Sequence, residues 1–504
     1  MFILAIGVLQ VKAQDSSWDT YYEQSNFEET PRYKETIRYC KKLAKHSESI
    51  TYKTFGKSPQ YRDLPLMVFN KEGNFTAEEV KQSGDLVVLI EACIHAGEPD
   101  GKDAGLMLLR DIAIYDQYTE FLDQITILFI PILNPDGHER FGPYNRINQN
   151  GPEEMGWRTN AQNLNLNRDF LKADAPEMKD WLTMFNTWIP DFFIDIHTTD
   201  GADYQYPLTY AMETFGRSEE DSYLDPMKNK MSKEGYPIFP YISFREWHNP
   251  ESGLVAWAAK PRLSQGYTAL HNRPGLLLET HMLKDYKTRV TATYKMLKHT
   301  LKLLNKERKT LKKKIKEGDS YAASKAFREE PIPVNFKPAE DSTLITFKGI
   351  EYKKVQSNLT GTTWFQYGNE PKTFEIPYFN HVIPTEKVNL PLCYIIPPEW
   401  KKVTDRIAKH GIQTDTLKET ISIQAESLKF TNVTFKTSPY EGRQRVEKMQ
   451  IKTHQNKQRI PRGSVIVPMN QRRARVIAHI LEPQAPDSYL KWGFFNAIFE
   501  QKEY

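Results

Sequence analysis

The chain has 504 residues, with 68 Lys and Arg against 64 Asp and Glu and a formal net charge of +4. So even a balance excludes the basic footprint of a nucleic-acid-binding protein, and 39% hydrophobic with 26% charged residues excludes a disordered chain. The length exceeds one ordinary core, so two domains are expected.

In chain order, residues 2–11 form an apolar run too short to span a bilayer. With Lys12-Ala13-Gln14 behind it, the run reads as the apolar part of a secretory signal over residues 1–14, although the usual basic residues before it are missing. A secreted or periplasmic protein is therefore expected. No later stretch has the 18 consecutive apolar residues of a membrane span. Cys40, Cys93 and Cys393 are odd in number and far apart, which suits neither a disulfide framework nor a cysteine zinc site.

Four apolar runs follow, at residues 86–94, 125–133, 192–196 and 275–278, and each ends in polar residues of chemical interest. Helical patterns lie between them, the first at 104–112. Strands alternating with helices predict an α/β fold with a mixed, mostly parallel sheet and helices on both faces. Val290, Tyr294, Leu297, Leu301, Leu304 and Leu311 keep the three-four spacing of a long amphipathic helix, with Gly318 as its expected stop. Beyond it come short strand-like runs at 343–347 and 464–467 and a helix at about 400–409 after Pro397-Pro398. These patterns predict a catalytic domain over 15–318 and a smaller β-rich α+β domain over 319–504.

The first run delivers His95-Ala96-Gly97-Glu98 just past a buried strand, where open α/β sheets bind ligands. An imidazole and a carboxylate three residues apart fit zinc, which in hydrolytic sites takes three protein ligands. The run at 192–196 ends in His197, a candidate third ligand, with Asp195 and Thr198 placed to hydrogen-bond around it. The run at 275–278 ends in Glu279; a carboxylate at the end of a buried strand is costly without a task, and general base is such a task. Between them Gly156-Trp157-Arg158 and Asn163-Leu164-Asn165-Leu166-Asn167-Arg168-Asp169-Phe170 offer two arginines and several asparagines. A guanidinium grips a carboxylate in a bidentate fork and can stabilise an oxyanion. Taken singly, each arginine reads as a surface residue.

The ordered set His95-x-x-Glu98, Asn134-Pro135-Asp136-Gly137, Trp157-Arg158, Leu166-Asn167-Arg168-Asp169-Phe170, His197 and Glu279 resembles the zinc carboxypeptidase family of the pancreatic carboxypeptidase A type. The resemblance covers about residues 18–310. It implies His95, Glu98 and His197 as ligands of one zinc ion and Glu279 as general base. It likewise implies Arg158 as the oxyanion arginine, and Asn167 with Arg168 as the grip on the substrate's terminal carboxylate. The implied substrate is a peptide with a free C-terminus. Residues 462–468 and 481–488 resemble the C-terminal part of large secreted bacterial members.

Three departures stand out. Where the family often carries arginine between the zinc ligands, this chain has Ala96-Gly97; Thr198-Thr199 follows His197; and the family's mobile substrate-binding tyrosine has no firm counterpart, Tyr267 being the candidate. His138, His248, His271 and His281 read as packing or surface histidines. Two other functions fit the same motifs: a related zinc amidohydrolase acting on N-acyl amino acids or cell-wall peptides, and a binding protein that keeps the fold without turnover. The full set of ligands together with Arg158 and Glu279 argues against the second.

Overall fold

A computed structural model describes residues 16–213, 220–247 and 249–503; the signal expected over 1–14 and His248 lie outside them. Ten strands precede the long helix: β1 (Ile50–Lys57), β2 (Asp63–Asn70), β3 (Leu86–Glu91), β4 (Ile125–Ile130), β5 (Phe192–Thr198), β6 (Leu208–Glu213), β7 (Ile238–Pro240), β8 (Phe244–Glu246), β9 (Asn249–Val255) and β10 (Gly275–Thr280). Eight of them form one sheet in the order β1-β2-β4-β3-β5-β10-β6-β7. Its centre, β4-β3-β5-β10, is parallel throughout, and antiparallel pairs flank it at β2-β4 and β10-β6.

The central strands are buried on both faces because their side chains alternate between two cores. Val88, Ile90, Ile194, Ile196, Leu276 and Leu278 point to the face covered by the helices Asp100–Ala113 and Tyr286–Ala322. Val87, Leu89 and Phe193 point to the other, where Trp181 and Phe185 of Pro176–Trp188 and Leu270 of Ser264–Leu270 pack. The α/β architecture with a mixed sheet and helices on both faces is the one the apolar runs predict.

Two boundaries differ from expectation. The first apolar run leaves the sheet at Glu91 rather than continuing to Ile94: Cys93 takes a left-handed conformation, φ +53°, that turns the chain off the sheet and aims the zinc motif across its end. The long helix runs through Gly318 to Ala322. Glycine costs about 1 kcal/mol inside a helix, and here a Cβ would lie 3.2 Å from the Asn272 Cβ, so Gly318 serves a close approach rather than a stop.

The segment after 319 is strand-rich, with long ribbons Thr343–Gln356/Thr363–Phe379 and Ile421–Phe435/Val446–Ile460 and the helices Lys401–Lys409 and Ala474–Leu481. It shares structure with what precedes it: Tyr378 and Phe379 pair with Leu254 and Val255 of β9. Val403, Ile407, Ile477 and Tyr489 join the same apolar cluster as Trp181, Phe185 and Tyr267. Among the described residues no helix is long and apolar enough to cross a membrane.

Candidate metal centre

His95, Glu98, His197 and Glu279 meet at the carboxyl ends of β3, β5 and β10. In the register of β5 against β10, His197 lies directly beside Glu279. His95 and Glu98 fold over the end of β3, closed by Glu98 N–H donating to the His95 carbonyl at 3.0 Å.

Three donor atoms form a small triangle. His95 Nδ1 lies 3.1 Å from Glu98 Oε2, His197 Nδ1 lies 3.0 Å from that oxygen, and the two Nδ1 atoms are 3.1 Å apart. Both opposite ring nitrogens face oxygen: His95 Nε2 donates to Asn165 Oδ1 at 3.0 Å and His197 Nε2 to Asp195 Oδ2 at 2.7 Å. Those bonds place the ring protons on Nε2 and leave two Nδ1 lone pairs converging with a carboxylate oxygen. Such a cluster is repulsive without a cation between its members. Ligand bonds of about 2.0–2.1 Å to tetrahedral zinc set donor atoms roughly 3.3 Å apart, so this set of two imidazoles and one carboxylate fits the ion.

The electrostatics agree. Burial holds the His95 ring down at about 4, a neutral donor at physiological pH. At His197 burial acts the same way, but the Asp195 carboxylate outweighs it and pushes the ring well above its usual range. The charge thus favoured beside Glu98 is a proton's in the metal-free site, and a metal cation supplies it equally well. Burial opposes ionisation of Glu98, yet its neighbours His95 and Arg146 hold it well below the usual carboxylate range.

Several residues around the triangle were not singled out from sequence. Arg146 NH1 donates to Glu98 Oε1 at 2.6 Å while its NH2 donates to the carbonyls of Thr198 and Thr199 at 2.9 Å, tying the zinc motif to the end of β5. Ala96-Gly97 now has a physical meaning: a Cβ at Gly97 would lie 2.9 Å from Arg146 Cδ and 2.7 Å from the Gly156 carbonyl. The glycine is the room in which Arg146 crosses the motif. Asp100 Oδ2 accepts from Thr198 Oγ1 at 2.5 Å and Thr280 Oγ1 at 2.7 Å, with Arg289 Nε 3.3 Å away. It clamps together the strand ends that carry His197 and Glu279, and both threonines directly follow a site residue, a pattern readable in sequence.

The other anticipated residues fall as follows. Arg158 NH1 donates to Glu98 Oε1 at 3.2 Å, with the side chain 39% exposed at the rim. Asn167 is buried behind His197, its Oδ1 accepting from Ser264 N–H at 3.1 Å and its Nδ2 3.3 Å from His197 Nε2. Arg168 is half-buried, and its NH1 donates to the Asn167 carbonyl at 2.6 Å. Glu279 is half-buried, and burial first, with Glu98 adding and His197 opposing, pushes its carboxyl up to about 8. Tyr267 is not brought to the site. It is fully buried between Phe170, Trp181 and Phe185, and its hydroxyl meets His410 Nδ1 at 2.8 Å, so it is a packing tyrosine. His281 pairs with Asp203 at 2.8 Å and stacks on Tyr204, away from the triangle.

Beside the site opens a cleft of about 570 Å³ lined by Tyr210, Met212, Ile238, Tyr241, Trp257 and Gln265 among others. Gln265 adjoins Ser264, the residue bonded to Asn167. The Tyr241 phenol, which lines this cleft, is pushed up by the charge of Glu279 and then by burial.

A triangle of two histidines and a glutamate at strand ends, with a carboxylate and a guanidinium alongside, defines a mononuclear zinc hydrolase. The family model for zinc carboxypeptidases matches residues 36–234, which include the triangle and Arg158 but not Glu279. Carboxypeptidase 2 of Trichophyton rubrum is 24% identical over 487 residues, 92% of this chain and 84% of that protein. Carboxypeptidase D of Rattus norvegicus is 30% identical over 154 residues, 29% of this chain and 10% of that protein. The crystal structure of carboxypeptidase A from Helicoverpa armigera is 16% identical, covers 57% of this chain and 74% of its own, and superposes with a TM-score of 0.39. Residues 36–234 thus match a zinc carboxypeptidase domain, and the His-Glu-His site they carry is that of a one-zinc peptidase.

Proposed function

We propose that the protein is an exopeptidase that removes C-terminal residues from peptides, with His95, Glu98 and His197 holding the zinc. The converging lone pairs of the triangle carry this reading, together with Glu279 in register with His197. A zinc ion held by these three residues would supply Lewis acidity toward the scissile carbonyl and toward water near neutral pH. Glu279 takes the proton of the attacking water and returns it to the leaving amine. Its half-buried position favours both halves of that exchange, since desolvation raises the basicity of the carboxylate. The Arg158 guanidinium, half-open at the rim, stabilises the oxyanion that develops on the peptide carbonyl. Of the pair assigned to the terminal carboxylate, Arg168 is the half-exposed member and makes the contact, Asn167 being bonded to Ser264 and His197 behind it. The adjoining cleft takes the side chain of the departing residue.

Within this reading the catalytic machinery belongs to residues 15–318, and residues 319–504 form an accessory region packed against it. The apolar run at 2–11 supports export, to the exterior or the periplasm. A panel of matched peptides with free and amidated C-termini, read by mass spectrometry, tests the function. Release of single C-terminal residues from the free peptides alone is the expected result. Equal cleavage of the amidated peptides would remove the carboxylate grip and favour an amidohydrolase instead.

A further inference from the structure

The loop that carries Asn165 is touched by a turn from the far end of the chain. Tyr440 and Arg443 close that turn with paired backbone bonds of 3.0 and 3.1 Å, and its two central residues, Glu441 and Gly442, have φ of +50° and +72°. Two left-handed residues in a two-residue hairpin turn are the signature of type I′, where asparagine followed by glycine is favoured. Gly442 obeys that preference and Glu441 does not. A glutamate held left-handed is disfavoured locally, so its side chain has a task that the turn alone does not explain.

That side chain reaches across 276 positions of sequence: Glu441 Oε2 accepts from Asn165 N–H at 2.9 Å. Asn165 in turn uses its Oδ1 twice, accepting from His95 Nε2 at 3.0 Å and from Asn167 N–H at 3.0 Å. The turn is braced on both sides. Arg443 forks onto Asp174 at 2.5 and 2.6 Å with its guanidinium 3.6 Å from the Phe494 ring centre, and Tyr440 stacks on Trp492 at 6.0 Å.

We propose that Glu441 is a positioning residue of the metal centre, fixing Asn165 and through it the ring of His95 and the backbone of Asn167. The inference rests on the zinc-peptidase reading above. It gives the region after 319 a part in the chemistry: one carboxylate of that region sets the orientation of a zinc ligand.

Glu441→Asn separates this role from a merely structural one, because asparagine suits the turn better than glutamate but is too short to keep the bond. Zinc affinity, read by competition with a chromophoric chelator, is expected to fall about 10-fold, within the range seen when groups behind metal ligands are lost. The value of kcat falls by a similar factor with KM little changed, while Tm stays level or rises. Glu441→Gln keeps an acceptor oxygen and restores affinity to within about threefold of wild type. Wild-type zinc affinity and kcat in Glu441→Asn would overturn the proposal alone. Absence of zinc binding in the wild-type protein would overturn the metal reading and this proposal with it.

Discussion

The two walls of the site are built differently. The metal wall is made of strand ends: His197 and Glu279 are neighbours in a parallel sheet, and the motif His95–Glu98 is folded against them by Arg146 and Asp100. The substrate wall is a loop, residues 156–170, carrying Arg158 half-open at the rim and Arg168 half-buried. It is held by groups on other elements, namely Glu177 on the following helix, which accepts from Asn160 Nδ2 at 3.2 Å, and Glu441 from beyond residue 319. A sheet end places reacting groups to within fractions of an ångström at no extra cost, whereas a loop needs braces. In the proposed function this becomes a division of labour: rigid positions would bind metal and move protons, and braced positions would meet variable substrates.

Mutations on the two walls should therefore fail differently. The largest effect is expected from Glu279→Gln, which keeps the wall intact and removes the base; kcat should fall by about 10³-fold or more with zinc retained, and substantial residual turnover in a stopped assay would break the assignment. On the loop, Arg158→Ala removes one oxyanion donor, and a loss of about 10²-fold in kcat is expected, with KM and zinc content near wild type. A change in KM alone would make Arg158 a binding residue instead.

Of the two braces, Glu441 should show in metal affinity and turnover, as set out above, and Glu177 in stability. Burial pushes the Glu177 carboxyl up to about 7, so between about pH 4.5 and 7 the folded protein binds a proton that the unfolded chain has released. Stability accordingly falls as pH rises through that window, by on the order of 2–3 kcal/mol from this group. Glu177→Gln should flatten the fall, as chemical denaturation at pH 5 and pH 8 would reveal; an unchanged slope would remove Glu177 as the source. The smallest effect is expected at Tyr267, whose hydroxyl meets His410, 143 positions further along the chain. Tyr267→Phe should cost about 1 kcal/mol and leave kcat and KM unaltered, and a tenfold change in KM would return this tyrosine to the substrate.

The metal wall was legible in the sequence because its grammar is local. A fully apolar run ends in a residue type that cannot be buried without a task, and this happens at His95, His197 and Glu279. The sheet could be read from the same runs. The braces could not. Arg146 reaches Glu98 across 48 positions and Glu441 reaches Asn165 across 276, and neither spacing has a period that a sequence pattern could reveal. Tyr267 shows the opposite failure: distance along the chain from Glu279 made it a candidate, but its helix turns it into the core beneath the sheet. Gly318 misled because a helix-stopping residue and a residue permitting close packing are the same residue.

The central claim is that His95, Glu98 and His197, gathered at the carboxyl end of the sheet, hold one zinc ion and that Glu279 does the proton transfer. Zinc content per chain, measured by mass spectrometry of the metal on purified wild type and on His95→Ala, Glu98→Ala, His197→Ala and Glu279→Gln, tests it most directly. The account predicts one zinc in the wild type and in Glu279→Gln, and a large loss in each of the other three. Full occupancy in any of those three, or loss of the metal in Glu279→Gln, would contradict it.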